Sequence, residues 1–259
     1  MMRRVLNPLL DRLRDDSAPV QHAIFLQLAD PMVAEICAGA GFELVVIDTE
    51  HGPSGTTDVI SQLQAIAAGG ADAAVRVANH DPAVVKRVLD AGAITLIVPM
   101  VDDADEAREV VAATRYPPQG VRGAASARAA RWGRIADYRS SADDGICLIT
   151  MIETPAAIEN IDAICSVDGV DVAFVGPTDL ATAMGGALVP TDPEVVEQVE
   201  RAIGLIVAAG GVAGVFAATP SLAARYAAAG AKLVGCGVDA NVLAAATDRL
   251  RDSFDDRSM

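Results

Sequence analysis

Along the chain, short apolar runs alternate with amphipathic stretches, and the junctions between them repeat. Five times a helical stretch closes in Ala/Gly and an apolar run follows: AGAG (38–41) before FELVVID, AAGG (67–70) before ADAAVRV, DAGA (90–93) before ITLIVPM, AAGG (208–211) before VAGVFA, and AAGA (228–231) before KLVGCG. Glycine just past a helix can take the left-handed cap, and a continuous apolar run after it reads as a strand buried on both faces. Three further runs, HAIFLQ (22–27), ICLITMIE (146–153) and DVAFVGP (171–177), bring the strand candidates to eight, each followed by a helical pattern.

Eight βα units in 259 residues predict a single α/β domain over 1–259, a (β/α)8 TIM barrel. Residues 1–20 are expected to form a short helical extension and 241–259 a C-terminal helix. The rival, a doubly wound open sheet, lacks a GxGxxG after its first strand, which also leaves no place for a nucleotide cofactor. Residues 202–224 carry no charge, but Gly204, Gly210, Gly211, Gly214 and Pro220 divide them into helix end, turn, strand and helix start, so no membrane span is expected. The N-terminal charges Asp11, Arg12 and Arg14 interrupt any signal-peptide core.

Composition narrows the partners. A net charge of −15 with 3% aromatic residues argues against nucleic acid, whose binding rests on Lys/Arg neutralising phosphates. Cys37, Cys147, Cys165 and Cys236 have neither CxxC spacing nor the density of a disulfide scaffold, which points to a reducing, cytoplasmic setting. One segment departs from the acidic average: 110–136 holds Arg115, Arg122, Arg128, Arg131 and Arg134 and no acid.

In a barrel, chemistry collects where the strands end. Strand two ends in Asp48-Thr49-Glu50-His51, strand three in Arg76, strand five in Glu153, and strand six leads through Gly176-Pro177-Thr178 to Asp179. Two carboxylates from neighbouring strands suit an oxygen-seeking ion, Mg²⁺ or Mn²⁺ with Co²⁺ admissible. The other reading of Glu153 is a helix N-terminal acid and of Asp179 an N-cap. His51 suits a general base, or else bonds the backbone of a turn. Asp48 could orient that base or a metal-bound water, or cap the turn. Arg76, set among apolar residues, could grip a carboxylate or oxyanion, or pair with Asp48 or Glu50. The two lysines, Lys86 in a helix and Lys232 at the start of the last strand, exclude a Schiff-base site, and no GxSxG or cysteine-nucleophile signature is present.

DTEHGP (48–53), VRVANHDPAVVKRVLDAGA (75–93), VPMVDDADEA (98–107), RYPPQGVRG (115–123), MIETPAAIEN (151–160) and VDVAFVGPTDLATAMG (170–185) together resemble the HpcH/HpaI family of class II pyruvate aldolases, metal-dependent (β/α)8 barrels that are usually hexameric. The resemblance implies a lyase that reversibly splits a 4-hydroxy-2-oxoacid into pyruvate and an aldehyde. It implies Glu153 and Asp179 as metal ligands, Arg76 on the pyruvyl oxygen, His51 as base and Asp48 as its hydrogen-bonding support. Asp90, in LDAGA, matches an acid linked to the histidine in proton transfer, or is a structural residue of its helix end. Gly176, Pro177 and Thr178 match the loop that meets the substrate carboxylate. Two positions before the glutamate the family often has glutamine, where this chain has Met151. The Arg segment falls on the family's RYPP-G-RG stretch, so Arg122 is expected either to draw an anionic oxoacid to the mouth, on its own or an adjoining subunit, or to pair with acids at a homo-oligomeric contact (hexamer or trimer). Rival readings on the same scaffold are an acyl-CoA lyase of the citrate lyase β-subunit branch, an oxaloacetate-type decarboxylase, and a non-catalytic binding barrel.

Overall fold

The computed structural model describes residues 6–185 and 187–254. The chain runs α1 (Pro8–Arg14), β1 (Gln21–Leu26), α2 (Pro31–Gly39), β2 (Leu44–Asp48), α3 (Thr56–Gly69), β3 (Asp72–Arg76), α4 (Pro82–Ala91), β4 (Thr95–Val98), α5 (Ala104–Thr114), α6 (Tyr138–Ser141), β5 (Cys147–Ile152), α7 (Pro155–Glu159), α8 (Ile161–Cys165), β6 (Val172–Val175), α9 (Pro177–Met184), α10 (Pro193–Ala208), β7 (Val212–Phe216), α11 (Pro220–Ala228), β8 (Ala231–Val238) and α12 (Asp239–Ser253). The eight strands close into one parallel barrel in sequence order, β8 pairing with β1. All eight strand candidates are therefore strands. Of the stretches expected to be helical at the two ends, α1 occupies 8–14 and α12 reaches from 239 to 253, while 1–5 and 255–259 lie outside the described residues. No described helix is long and apolar enough to cross a membrane.

Strand parity divides the core in two. Leu44 and Val46 of β2, Ala74 of β3, Cys147, Ile149 and Met151 of β5, and Val172 and Phe174 of β6 point into the barrel, while Val45, Ile47, Val75, Leu148 and Val175 pack outward under the helices. Glycine makes room for the inward rings: a Cβ on Gly214 would sit 2.4 Å from the Phe174 ring.

The floor of the barrel is closed by α1. Its Leu9, Leu10 and Leu13 are buried against the inward residues, each contributing roughly 1.5–3 kcal/mol by removal from water. Asn7 caps this helix by accepting from Leu10 N, and its Nδ2 donates to Ile94 O and Gly145 O just before β4 and β5. Arg12 pairs with Asp72 at the start of β3, and Arg14 with Asp171 just before β6. Lys232, at the same end, pairs with Asp16.

The last helix behaves differently. α12 is exposed along its length, with Asp239 its one buried residue among those described, and Val242, Leu243 and Leu250 stand uncovered, followed by Phe254.

Candidate active site

The register of the barrel brings the strand-end residues together. Asp48 is the lateral partner of Arg76 between β2 and β3, and both continue the inward parity of their strands. The guanidinium consequently meets the carboxylate edge to edge: Arg76 Nε donates to Asp48 Oδ1 at 3.0 Å and Nη2 to Oδ2 at 2.7 Å. Asp48 Oδ1 also accepts from the backbone N–H groups of Glu50 and His51, and Oδ2 from Gln27 Nε2. One fully buried carboxylate thus fixes the arginine and the turn that carries the histidine. Burial works against its charge, but Arg76, Gln27 and the His51 N–H outweigh that and hold its pKa below the usual carboxylate value. The turn-capping reading of Asp48 and the ion-pair reading of Arg76 are both realised in these contacts.

The third guanidinium nitrogen, Nη1, is 3.1 Å from Glu50 Oε2, and that same oxygen is 3.7 Å from His51 Nε2. Burial raises the Glu50 pKa against the pull of Arg76 and His51, with Asp48 and Asp179 adding to the rise. Arg76 has its pKa raised: burial disfavours its charge, and Asp48, Glu50 and Glu153 more than compensate. The guanidinium carbon also lies 5.3 Å from the centre of the Phe25 ring.

Across the mouth, the β5/β6 register pairs Ile152 with Val175, which sets residue 153 beside residue 176. The absence of a side chain at Gly176 makes the space: a Cβ there would be 2.6 Å from Glu153 Oε2. Glu153 does not cap a helix; Thr154 is the N-cap of α7, and Glu153 Oε1 instead accepts from the backbone N–H of Met100 at 2.7 Å. Met100 reaches it with φ +55°, a left-handed conformation that non-glycine residues adopt at a cost. Glu153 Oε2 is buried with no partner among the described residues. Burial, with repulsion from Asp179 and Glu50, pushes the Glu153 pKa up to about 7 despite the Met100 N–H and Arg76. Asp179 lies in the first turn of α9, whose N-cap is Gly176, so it too is not a cap.

His51, Arg76, Gly176, Pro177, Thr178 and Asp179 line one cavity of about 390 Å³, with Gln27 and Asn241 on its wall and Phe25, Met151, Phe174 and Phe216 forming an apolar side. A larger cleft, about 1220 Å³, opens at the opposite end between Arg14, Arg115, Asp143 and Asp168, and it contains none of these strand-end groups. The strand-end groups gather at the smaller cavity.

No three His, Cys, Asp or Glu side chains among the described residues form a ready-made metal cage. The donor set nonetheless fits a hard divalent ion with open positions for water and substrate. A buried carboxylate oxygen without a partner is costly, and Asp179 repels it; a cation held between Glu153 and Asp179 would relieve both.

Asp90 and Arg122 are placed elsewhere. α4 carries the chain from the mouth back toward the end closed by α1, and Asp90 sits on its last turn. Arg122 Nη2 contacts Asp90 Oδ1 at 3.3 Å, and its guanidinium lies 4.6 Å from the centre of the Tyr116 ring and 6.0 Å from that of Tyr138. Its side chain is 1% exposed, and Nε and Nη1 have no partner among the described residues. Arg128 Nη1 donates to Ala91 O at the same helix end. Gln27 and Met100 have no role in the sequence reading, and Glu50 enters it only as an alternative ion-pair partner of Arg76. Met100 acts through its main chain, which leaves no mark in a sequence.

A model of the HpcH/HpaI aldolase/citrate lyase family matches residues 21–246. The chain is 46% identical over 240 residues to the hydroxypyruvate/pyruvate aldolase of Deinococcus radiodurans, covering 92% of this chain and 87% of that relative. It is 47% identical over 236 residues to the 4-hydroxy-2-oxo-heptane-1,7-dioate aldolase of Salmonella dublin, covering 90% of each. The crystal structure of an HpcH/HpaI aldolase/citrate lyase family protein from Burkholderia cenocepacia J2315 superposes with a TM-score of 0.91 at 36% identity, over 96% of this chain and 99% of that one.

Proposed function

The chain belongs to the HpcH/HpaI aldolase/citrate lyase family, and from that premise we propose that it is a metal-dependent pyruvate aldolase working in the 390 Å³ cavity. The observation that carries the reading is the convergence on that cavity of a half-exposed imidazole, an arginine locked flat by Asp48 and the Asp179 carboxylate, with Glu153 Oε2, buried without a partner among the described residues, lying against Gly176 of its wall.

A divalent ion, Mg²⁺ or Mn²⁺, held by Glu153 and Asp179 would supply Lewis acidity at the ketone and carboxylate oxygens of a 4-hydroxy-2-oxoacid. The remaining work falls to the protein. Arg76, fixed through Nε and Nη2, presents positive charge where the C2 oxygen becomes negative. At the start of α9, Pro177 has no N–H and the Gly176 N–H is bonded to Ile152 O, so the Thr178 N–H is the first free to receive a substrate carboxylate oxygen. His51 takes the proton of the C4 hydroxyl, the C3–C4 bond breaks with its electron pair passing into the pyruvate enolate, and the aldehyde leaves. Protonation at C3 completes pyruvate, and aldol addition is the reverse. Met151 and the phenylalanine rings present carbon to the other side of the substrate, which favours aldehydes that place an apolar segment there.

Asp90, at the far end of α4, would reach a His51 only from a second copy of the chain, and Arg122 holds it at that end. The uncovered apolar residues of α12 favour a homo-oligomer in which a neighbouring copy covers them.

The test is pyruvate release from a panel of 4-hydroxy-2-oxoacids of differing length and charge, with and without chelator. The expected result is activity lost to EDTA and restored by Mg²⁺ or Mn²⁺. Undiminished activity after metal removal would overturn the metal's role, and no pyruvate from any member of the panel would overturn the aldolase reading.

A further inference from the structure

Glu50 stands between the two groups that the proposed reaction uses, and the position of its Oε2 is unequal between them. At 3.1 Å from Arg76 Nη1 it makes a charge-assisted contact; at 3.7 Å from His51 Nε2 it is outside the roughly 2.7–3.2 Å of a hydrogen bond. Asp48 closes the Nε and Nη2 edge of the guanidinium, so Nη1 is the corner left for a substrate oxygen, and Glu50 occupies it. The backbone N–H groups of Glu50 and His51 are both pinned by Asp48 Oδ1, which confines movement to the Glu50 side chain.

We propose that Glu50 is a positioning residue that changes partner during the cycle: Arg76 holds it in the free site, an anionic 2-oxoacid displaces it from Nη1, and the released carboxylate pairs with His51 Nε2. The inference rests on the reading of the cavity as a pyruvate-forming site. Two anions compete for one guanidinium corner, and the displaced one has a nitrogen within an ångström of bonding distance. The other charged groups facing this pair are already committed. Asp48 of β2 is bound by Arg76 and Gln27, Arg76 of β3 by Asp48, and Glu153 just after β5 and Asp179 of α9 form the candidate metal pair. Burial also makes the Glu50 charge costly without a cationic partner, so release from Arg76 drives it toward the imidazole. An Nε2–H donated to Glu50 leaves Nδ1 as the basic nitrogen, so the base gains strength only once substrate is seated.

The experiment is an NMR titration of the His51 imidazole in the full chain with Mg²⁺, with and without saturating pyruvate, in the parent protein and in Glu50→Gln. Pyruvate is expected to raise the His51 pKa by about one unit in the parent, as a newly paired carboxylate does, and to leave it unmoved in the variant. An equal rise in Glu50→Gln, or no rise in the parent, would overturn the proposal. In turnover, Glu50→Gln is expected to lower kcat about 10- to 100-fold with KM for the oxoacid no higher, while Glu50→Asp, which keeps the charge, recovers part of kcat. KM rising in step with the loss, or equal loss in both variants, would mark a merely structural residue; if Glu50→Gln does not fold, the Glu50→Asp titration decides, a smaller pyruvate response than the parent's being expected and an equal one overturning the proposal. Because the titration needs no turnover, a Glu50-dependent pKa rise without bond cleavage sinks the aldolase reading alone, and cleavage without that rise sinks the exchange alone.

Discussion

Gly176→Ala isolates the geometry of the carboxylate pair. The backbone at 176 has φ −102°, which alanine adopts freely, so the substitution introduces no conformational strain of its own. What it introduces is a methyl group 2.6 Å from Glu153 Oε2 and 3.1 Å from both Glu153 Cβ and Met151 Cε, the first about 0.8 Å short of ordinary contact. Oε1 is tied to the Met100 N–H, so the carboxylate cannot swing aside without losing that bond. The oxygen displaced is the one free to bind a cation. Overpacking of this kind costs about 1–3 kcal/mol; Met151 Cε is a free side-chain end that can give way, whereas Glu153 is held at Oε1. At about 2–4 °C per kcal/mol for a domain of this size, the melting temperature falls by a few degrees. Disturbing the support of a metal ligand costs about 10- to 100-fold in affinity, a larger relative effect than the loss of stability. Calorimetric titration of Mn²⁺ into the metal-free variant, alongside thermal melts with and without Mn²⁺, separates the two. A variant that melts a few degrees lower yet binds Mn²⁺ within twofold of the parent would refute Glu153 as the ligand crowded by this methyl group.

Three further outcomes follow from the same structure. Glu153 has its pKa raised from 4.5 to about 7, so the folded metal-free protein binds the extra proton and its stability declines as pH rises between those values, by up to about 3 kcal/mol; chemical denaturation of the metal-free protein at pH 5 and pH 8 checks this, and Glu153→Gln is expected to flatten the difference. Arg122→Leu removes the buried partner of Asp90 and its stacking on Tyr116, so a lower denaturation midpoint with unchanged KM for pyruvate is expected; a KM rise at unchanged stability would place Arg122 on the substrate instead. Leu250→Asp on the exposed stretch of α12 is expected to lower the assembly state measured by light scattering, and an unchanged mass would remove α12 from the interface.

The barrel was legible because parallel strands covered on both faces read as unbroken apolar runs, and the left-handed glycines Gly41, Gly70, Gly92, Gly210 and Gly230 mark the five junctions where helices turn into them. The site was legible for a related reason. Counting in twos along LVVID and CLITMIE puts Asp48 and Glu153 on the inward parity, where a charge needs a purpose. Sequence spacing carried no information on which charges would share an oxygen. Glu50 and His51 are neighbours in DTEH, and only the tight turn pinned by Asp48 brings one Glu50 oxygen toward both His51 and Arg76. The arginine-rich segment gives no such signal. Past α5 it lacks a helical period, makes a short turn at Arg128–Ala130, and brings Arg122 and Arg128 to the end of α4, where Arg122 pairs with Asp90.

Met100 carries its contact with Glu153 on the main chain, which determines what variation at that position can do. No side-chain replacement except proline deletes the donor, and a left-handed backbone favours glycine and asparagine over β-branched residues. A saturation library at position 100 would therefore be sorted by backbone shape, with polarity and size having little influence. Such a profile, tolerant of chemistry and intolerant of valine, isoleucine and proline, would identify the residue as part of the catalytic scaffold although none of its side-chain atoms takes part.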